Sequence, residues 1–215
     1  MKRAKDFRSQ AWQSMHGKWG TLAIIYLVYY VITGCIGAIS AIPAFGSAIG
    51  SIISLIISGP FALGLTIVSL YVVRGVKISV NDMFEGFKQF LNAFLANLIN
   101  GIFIVLWTLL LIVPGIIKAY SYSMTYYILS DNPVLTANEA RKQSMELMRG
   151  NKWRLFCLNF SFIGWIILCV ITLGILSFWI SPYIQSSVAA FYEEISGSKI
   201  IAPEDSSHLS DMPTT

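Results

Sequence analysis

Residues 106–133, LWTLLLIVPGIIKAYSYSMTYYILSDNP, decide how the chain is read. An uncharged apolar run meets Pro114-Gly115, a lone Lys118 follows, then a Tyr/Ser-rich run, and charge returns only at Asp131. One helix from Leu98 to Ser130 would be about 50 Å long at about 1.5 Å per residue, against a hydrocarbon core of about 30 Å. Two short helices hinged at Pro114-Gly115 fit a bilayer where one does not. Charge placement agrees: a single crossing would put Arg141, Lys142, Arg149, Lys152 and Arg154 on the side opposite the other basic blocks, and a turn keeps them together.

The rest of the chain has the same character. Charged residues make up 12 % of 215 and hydrophobic ones 55 %, where a soluble domain carries about 25 % charged. Residues 19–73, 89–117 and 155–192 contain no Asp, Glu, Lys or Arg. At about 20 residues per crossing, the first and third runs each hold two spans. The expected class is all-α: a polytopic membrane protein of about six transmembrane helices in three hairpins, with basic amphipathic surface helices. The spans fall at about 20–42, 49–73, 92–113, 116–130, 155–174 and 182–195, a single membrane domain over 1–195. The polar tail, 196–215, is expected to be disordered and cytoplasmic. The first apolar run reads as a retained span, because its polar leader is long and the pattern continues past any cleavage point.

Along the chain, Ala4, Phe7, Ala11, Trp12 and Met15 recur at helical spacing among basic residues, an amphipathic helix along the membrane surface. Ser58-Gly59-Pro60 inside span two predicts a kink, since Pro removes a backbone donor. Ser79 with Asp82, and Thr136 with Glu139, have capping-box spacing ahead of short helices, the first carrying Phe84, Phe87 and Phe90. Asn97 and Asn100 share a helical face and are expected to hydrogen-bond another helix. Span five holds Asn159, and Ser181-Pro182 is expected to start span six. Pro60, Pro114, Gly115 and Pro182 are thus the hinge or turn positions.

RSQAWQSMHGKW (8–19) and RKQSMELMRGNKW (141–153) share Arg, Gln, Met and Gly at a constant offset. Pro60, Pro114 and Pro182 each precede a Tyr, at 71, 126 and 192, by ten to twelve residues. The pattern reads as three units, each a basic surface helix, a span, a Pro and a returning span. Fourteen of the fifteen Lys and Arg fall on the side that holds both termini, with only Lys118 opposite. By the positive-inside rule that side is cytoplasmic. Near its turn, Lys118 escapes the roughly 2.5–3.5 kcal/mol cost of a charge at the bilayer centre by snorkelling.

The block VPGIIKAYSYSMTYYILSDNP, followed by SMELMRG and LFCLNFSFIGW, resembles a bacterial integral-membrane family catalogued as domain of unknown function 975, over roughly residues 1–195. The resemblance implies a protein of the bacterial cytoplasmic membrane with no established activity, and supplies no catalytic residue.

No convergent catalytic set is evident. His16 and His208 lie outside the spans, no acidic residue falls within one apart from Glu193-Glu194 at the end of the sixth, and Cys35, Cys157 and Cys169 lack metal or redox spacing. The expectation is a non-enzyme without cofactor or metal. Basic blocks beside apolar runs mark topology, so nucleic acid is not an expected partner; membrane lipids, through anionic headgroups, are. Two roles remain open: a membrane scaffold or lipid-interacting protein, and a small-solute transporter or channel. For the second, the candidate polar intramembrane face is Lys118, Tyr122 and Tyr126, joined by Asn97, Asn100 and Asn159.

Overall fold

In the computed structural model the described residues are 3–40, 46–172 and 174–197, with side-chain burial described outside 39–47. They form eleven α-helices and one 3-10 turn, with no strand among them. In chain order these are α1 (Ala4–Met15), α2 (Trp19–Ser40), α3 (Gly46–Val73), α4 (Val80–Phe84), the 3-10 turn Glu85–Gln89, and α5 (Phe90–Leu110). There follow α6 (Ile112–Tyr122), α7 (Thr125–Asp131), α8 (Ala137–Leu147), α9 (Lys152–Phe160), α10 (Ile163–Ile171) and α11 (Ser177–Ser196).

The C-terminal half of α3 is the centre. Every residue from Gly59 to Val73 except Ala62 and Tyr71 is buried, and a helix apolar on all sides can be buried on all sides. Helices α1, α2, α4, α5, α7 and α11 pack against it. Close approach is possible because the facing positions lack side chains: a Cβ on Gly59 would meet the Ala93 backbone, and one on Gly64 the Met83 carbonyl. A Cβ on Gly86 would meet the Pro60 carbonyl.

Four stretches are long and apolar enough to cross a membrane: Trp19–Ala38, Ala48–Val73, Val80–Leu110 and Lys152–Ile171. Most of the exposed side chains there are apolar. Helix α10 buries none of its residues, and Leu109, Leu110, Leu111, Ile112 and Val113 form an unbroken run, each more than 60 % exposed. A contiguous apolar surface of this kind is compatible with a membrane-facing side.

Several boundaries differ from expectation. The chain turns at Leu111, whose backbone is extended, and not at Pro114-Gly115. Pro114 instead sits in the first turn of α6, where a missing N–H costs nothing, and Gly115 lets α6 lie against Thr108 of α5. The expected fourth span is two helices, α6 and α7, broken at Ser123-Met124. The Met124 N–H is taken by the Ser144 hydroxyl of α8 at 3.2 Å, so the break is held by a neighbouring helix. The fifth span is likewise interrupted between α9 and α10. Helix α11 begins at Ser177 and carries Pro182 internally, so Ser181-Pro182 does not start it. Residues 41–45, where the first two expected spans meet, and most of the polar tail lie outside the described residues.

The helices α1, α4 and α8 open alike. Asp6 accepts a hydrogen bond from the Arg3 N–H at 2.7 Å, Asp82 from Ser79 at 2.7 Å, and Glu139 from Thr136 at 2.9 Å. The next residue in each, Phe7, Met83 or Ala140, is buried. Gly17 and Gly150, with φ of 78° and 84°, end the segments of α1 and α8. The apolar face of α1, expected on the membrane surface, packs into the protein: Phe7, Ala11 and Met15 are buried, with Phe7 edge-on to Phe191 of α11.

Candidate functional site

The six residues expected to form one polar face separate into groups. Asn97 of α5 donates to the Ser58 hydroxyl of α3 at 2.6 Å and accepts from the Tyr126 hydroxyl of α7 at 3.2 Å. Ser58 lies just before Pro60, so three helices are tied beside the proline carried inside α3. Asn100, one turn on, is buried with its Oδ1 unpartnered among the described residues. Lys118 belongs to neither: its ammonium lies 5.1 Å from the centre of the Trp107 ring on α5, a cation–π contact across the α5–α6 hairpin. Tyr122 is buried against Phe103, where the Arg141 guanidinium stacks 4.3 Å from the Phe103 centroid and 5.5 Å from that of Tyr122. Asn159 is half-buried on α9 and takes no part in these contacts.

The strongest charged constellation is elsewhere. Arg74, just past the end of α3, reaches Asp131 at the end of α7 at 2.8 Å and Glu193 near the end of α11 at 2.7 Å. The Tyr192 hydroxyl donates to Asp131 at 2.9 Å, and its ring stacks on Tyr127 of α7. Burial works against the Arg74 charge, but the two carboxylates outweigh it and raise its pKa above the ordinary value. The second oxygen of Glu193 is buried with no partner among the described residues. A second pair, Arg154 of α9 with Glu194, extends the group.

Beside this knot is an open cleft of about 930 Å³, whose lining includes Arg74, Asp131, Asn132, Gln143, Glu146 and Tyr192. Its groups both donate and accept hydrogen bonds. No group of His, Cys, Asp and Glu among the described residues is arranged to hold a metal ion. The sequence reading singled out neither Arg74 nor Glu193 as a site residue. The available signal was Asp131 and Glu193 closing two returning segments while Arg74 closed a third.

Residues 1–121 and 109–199 match one protein-family model, described as protein of unknown function (DUF975). No curated protein matches the chain, and no solved structure does.

Proposed function

The chain belongs to the DUF975 family, whose function is unknown, and from that membership we propose a non-enzymatic integral protein of the bacterial cytoplasmic membrane that acts as a lipid-engaging scaffold. In this reading the backbone crosses six times in three hairpins, the α6–α7 and α11 segments completing the pairs, with both termini cytoplasmic. The similar openings of α1, α4 and α8 support three repeated units.

One observation carries the proposal. The apolar run Leu109–Val113 is bare at one end of α5, while Arg74, Asp131, Glu193 and Arg154 gather at the ends of α3, α7 and α11 and the start of α9. Ser58 faces Asn97 and Gly59 faces Ala93, so α3 and α5 run antiparallel and the turn at Leu111 lies away from Arg74. Around the charged end Lys5, Lys77, Lys88, Lys142 and Arg149 are exposed, each able to attract anionic headgroups by about 1 kcal/mol near the surface.

Two measurements test this. With Cys35, Cys157 and Cys169 replaced by Ala, an impermeant maleimide should label Leu111→Cys in intact cells and Lys142→Cys only after permeabilisation; the opposite pattern overturns the topology. In liposomes, enrichment of anionic lipid around the protein should fall when the five exposed cations are changed to Gln together, and an unchanged enrichment overturns the lipid-engaging role.

The bonded set Ser58–Asn97–Tyr126, polar within an apolar region, favours a second reading as a small-solute transporter or channel. There, Tyr126→Phe should impair uptake; a scaffold should be indifferent to it.

A further inference from the structure

Four of the six tryptophans in the chain converge on one crevice, although they come from four helices: Trp12 of α1, Trp19 of α2, Trp165 of α10 and Trp179 of α11. Tyr183, Ile180 and Leu176 complete its wall, around a volume of about 440 Å³, within the roughly 300–1,000 Å³ of small-molecule clefts. The rings brace one another edge-on, Trp12 against Trp19 at 5.3 Å and against Tyr183 at 5.8 Å. The crevice is open, with Trp12, Trp165 and Trp179 each at least 40 % exposed. None of the four indole N–H groups donates a hydrogen bond among the described residues. An apolar wall carrying unused N–H donors suits a molecule that is hydrocarbon over most of its length and carries acceptor oxygens at one end.

The nearby charge says which end. Arg8 lies one turn before Trp12 on the same face of α1, and its Nε reaches the Tyr183 hydroxyl at 3.4 Å. A second N–H reaches the Ser161 carbonyl, freed by the break between α9 and α10, also at 3.4 Å. Both bonds are long against a usual N–H···O distance of about 2.9 Å. The guanidinium also stands 5.1 Å from the Phe162 centroid. No carboxylate pairs with it among the described residues, whereas Arg74 and Arg154 each have one or two. A half-buried arginine without a counter-ion, beside an apolar crevice, wants an anion tethered to hydrocarbon. It would also repel a choline-type cation, which the aromatic rings alone would welcome.

We propose that this crevice holds one anionic glycerophospholipid, its phosphate on Arg8 and its acyl chain among the tryptophans. The proposal rests on the reading of the chain as membrane-embedded and narrows its lipid partner to a single built site.

The test uses the full-length protein, purified in mild detergent, stripped of lipid and titrated with brominated phosphatidylglycerol or brominated phosphatidylcholine while tryptophan fluorescence is followed. Phosphatidylglycerol should quench saturably, at one lipid per chain and about tenfold more tightly than phosphatidylcholine, a preference worth about 1.4 kcal/mol. Arg8→Gln should abolish the preference and Arg8→Lys retain part of it. Should Arg8→Gln fold poorly by circular dichroism, Trp179→Leu, at an exposed position, should weaken phosphatidylglycerol binding instead. Quenching that never saturates, or equal affinity for the two lipids, overturns the site, as does a preference that survives in well-folded Arg8→Gln. Alkaline carbonate extraction of native membranes checks the embedded state separately: protein released by it overturns the membrane reading whatever the titration shows.

Discussion

Gly64 of α3 sits so close to Met83 of α4 that a Cβ on the glycine would overlap the Met83 carbonyl. The obstacle is backbone, which cannot rotate aside. Gly64→Ala should therefore push α4 off α3 and destabilise the protein by about 3 kcal/mol or more, at the upper end of overpacking costs. Gly101→Ala on α5, where nothing lies within 4 Å, should be neutral or stabilising by up to about 1 kcal/mol. Unfolding of the two variants by SDS titration compares them directly.

Arg74 joins three chain segments that are far apart in sequence. Arg74→Ala would leave Asp131 and Glu193 without the cation they share. The site is about one-fifth exposed at Arg74, so the loss should fall near the lower end of buried-pair values, about 2–3 kcal/mol. Arg74→Ala combined with Glu193→Ala should cost less than the sum of the two single changes. Additive losses in that double-mutant cycle would show that the contact carries no coupling.

The capping carboxylate of Glu139 gives a pH signature. Its bonds from the Thr136 N–H and hydroxyl hold its pKa below the ordinary value of 4.5. A carboxylate depressed in the folded state contributes stability that is present above its unfolded pKa and lost as pH falls through the folded one. The melting temperatures of the wild type and Glu139→Gln should therefore differ at neutral pH and converge below about pH 4. Parallel curves throughout would contradict this role.

The bond from Tyr126 to Asn97 joins α7 to α5, and Asn97→Ala also removes the bond to Ser58. Interhelical hydrogen bonds of this kind average about 0.6 kcal/mol and reach about 1.7. Tyr126→Phe should cost near the first figure and Asn97→Ala nearer the second, read in the same SDS titration. A larger loss for Tyr126→Phe would mean that the hydroxyl has a role beyond this bond.

That the chain is helical, with stretches long and apolar enough to cross a membrane, was legible from composition and run length. The short helices at Ala4, Val80 and Ala137 were also legible in large part, since a cap is a local device whose partners lie three residues apart. Ser79 with Asp82 and Thr136 with Glu139 could be read directly, but Arg3 is no standard cap, so the Asp6 bond needed coordinates. The hinge at Pro114 was misplaced by three residues because a proline also fits the first turn of the helix it precedes.

What only the tertiary structure decided is everything that depends on helices meeting. Lys118 found Trp107 and not Tyr122; Arg74 collected two carboxylates from segments 57 and 119 residues away; four tryptophans from four helices came to share one crevice. Periodicity and charge act along the chain and fix what each stretch must be hidden from. Which stretches hide against each other depends on close approach at Gly59, Gly64, Gly86 and Gly115, and a single sequence does not say which surface each glycine will meet.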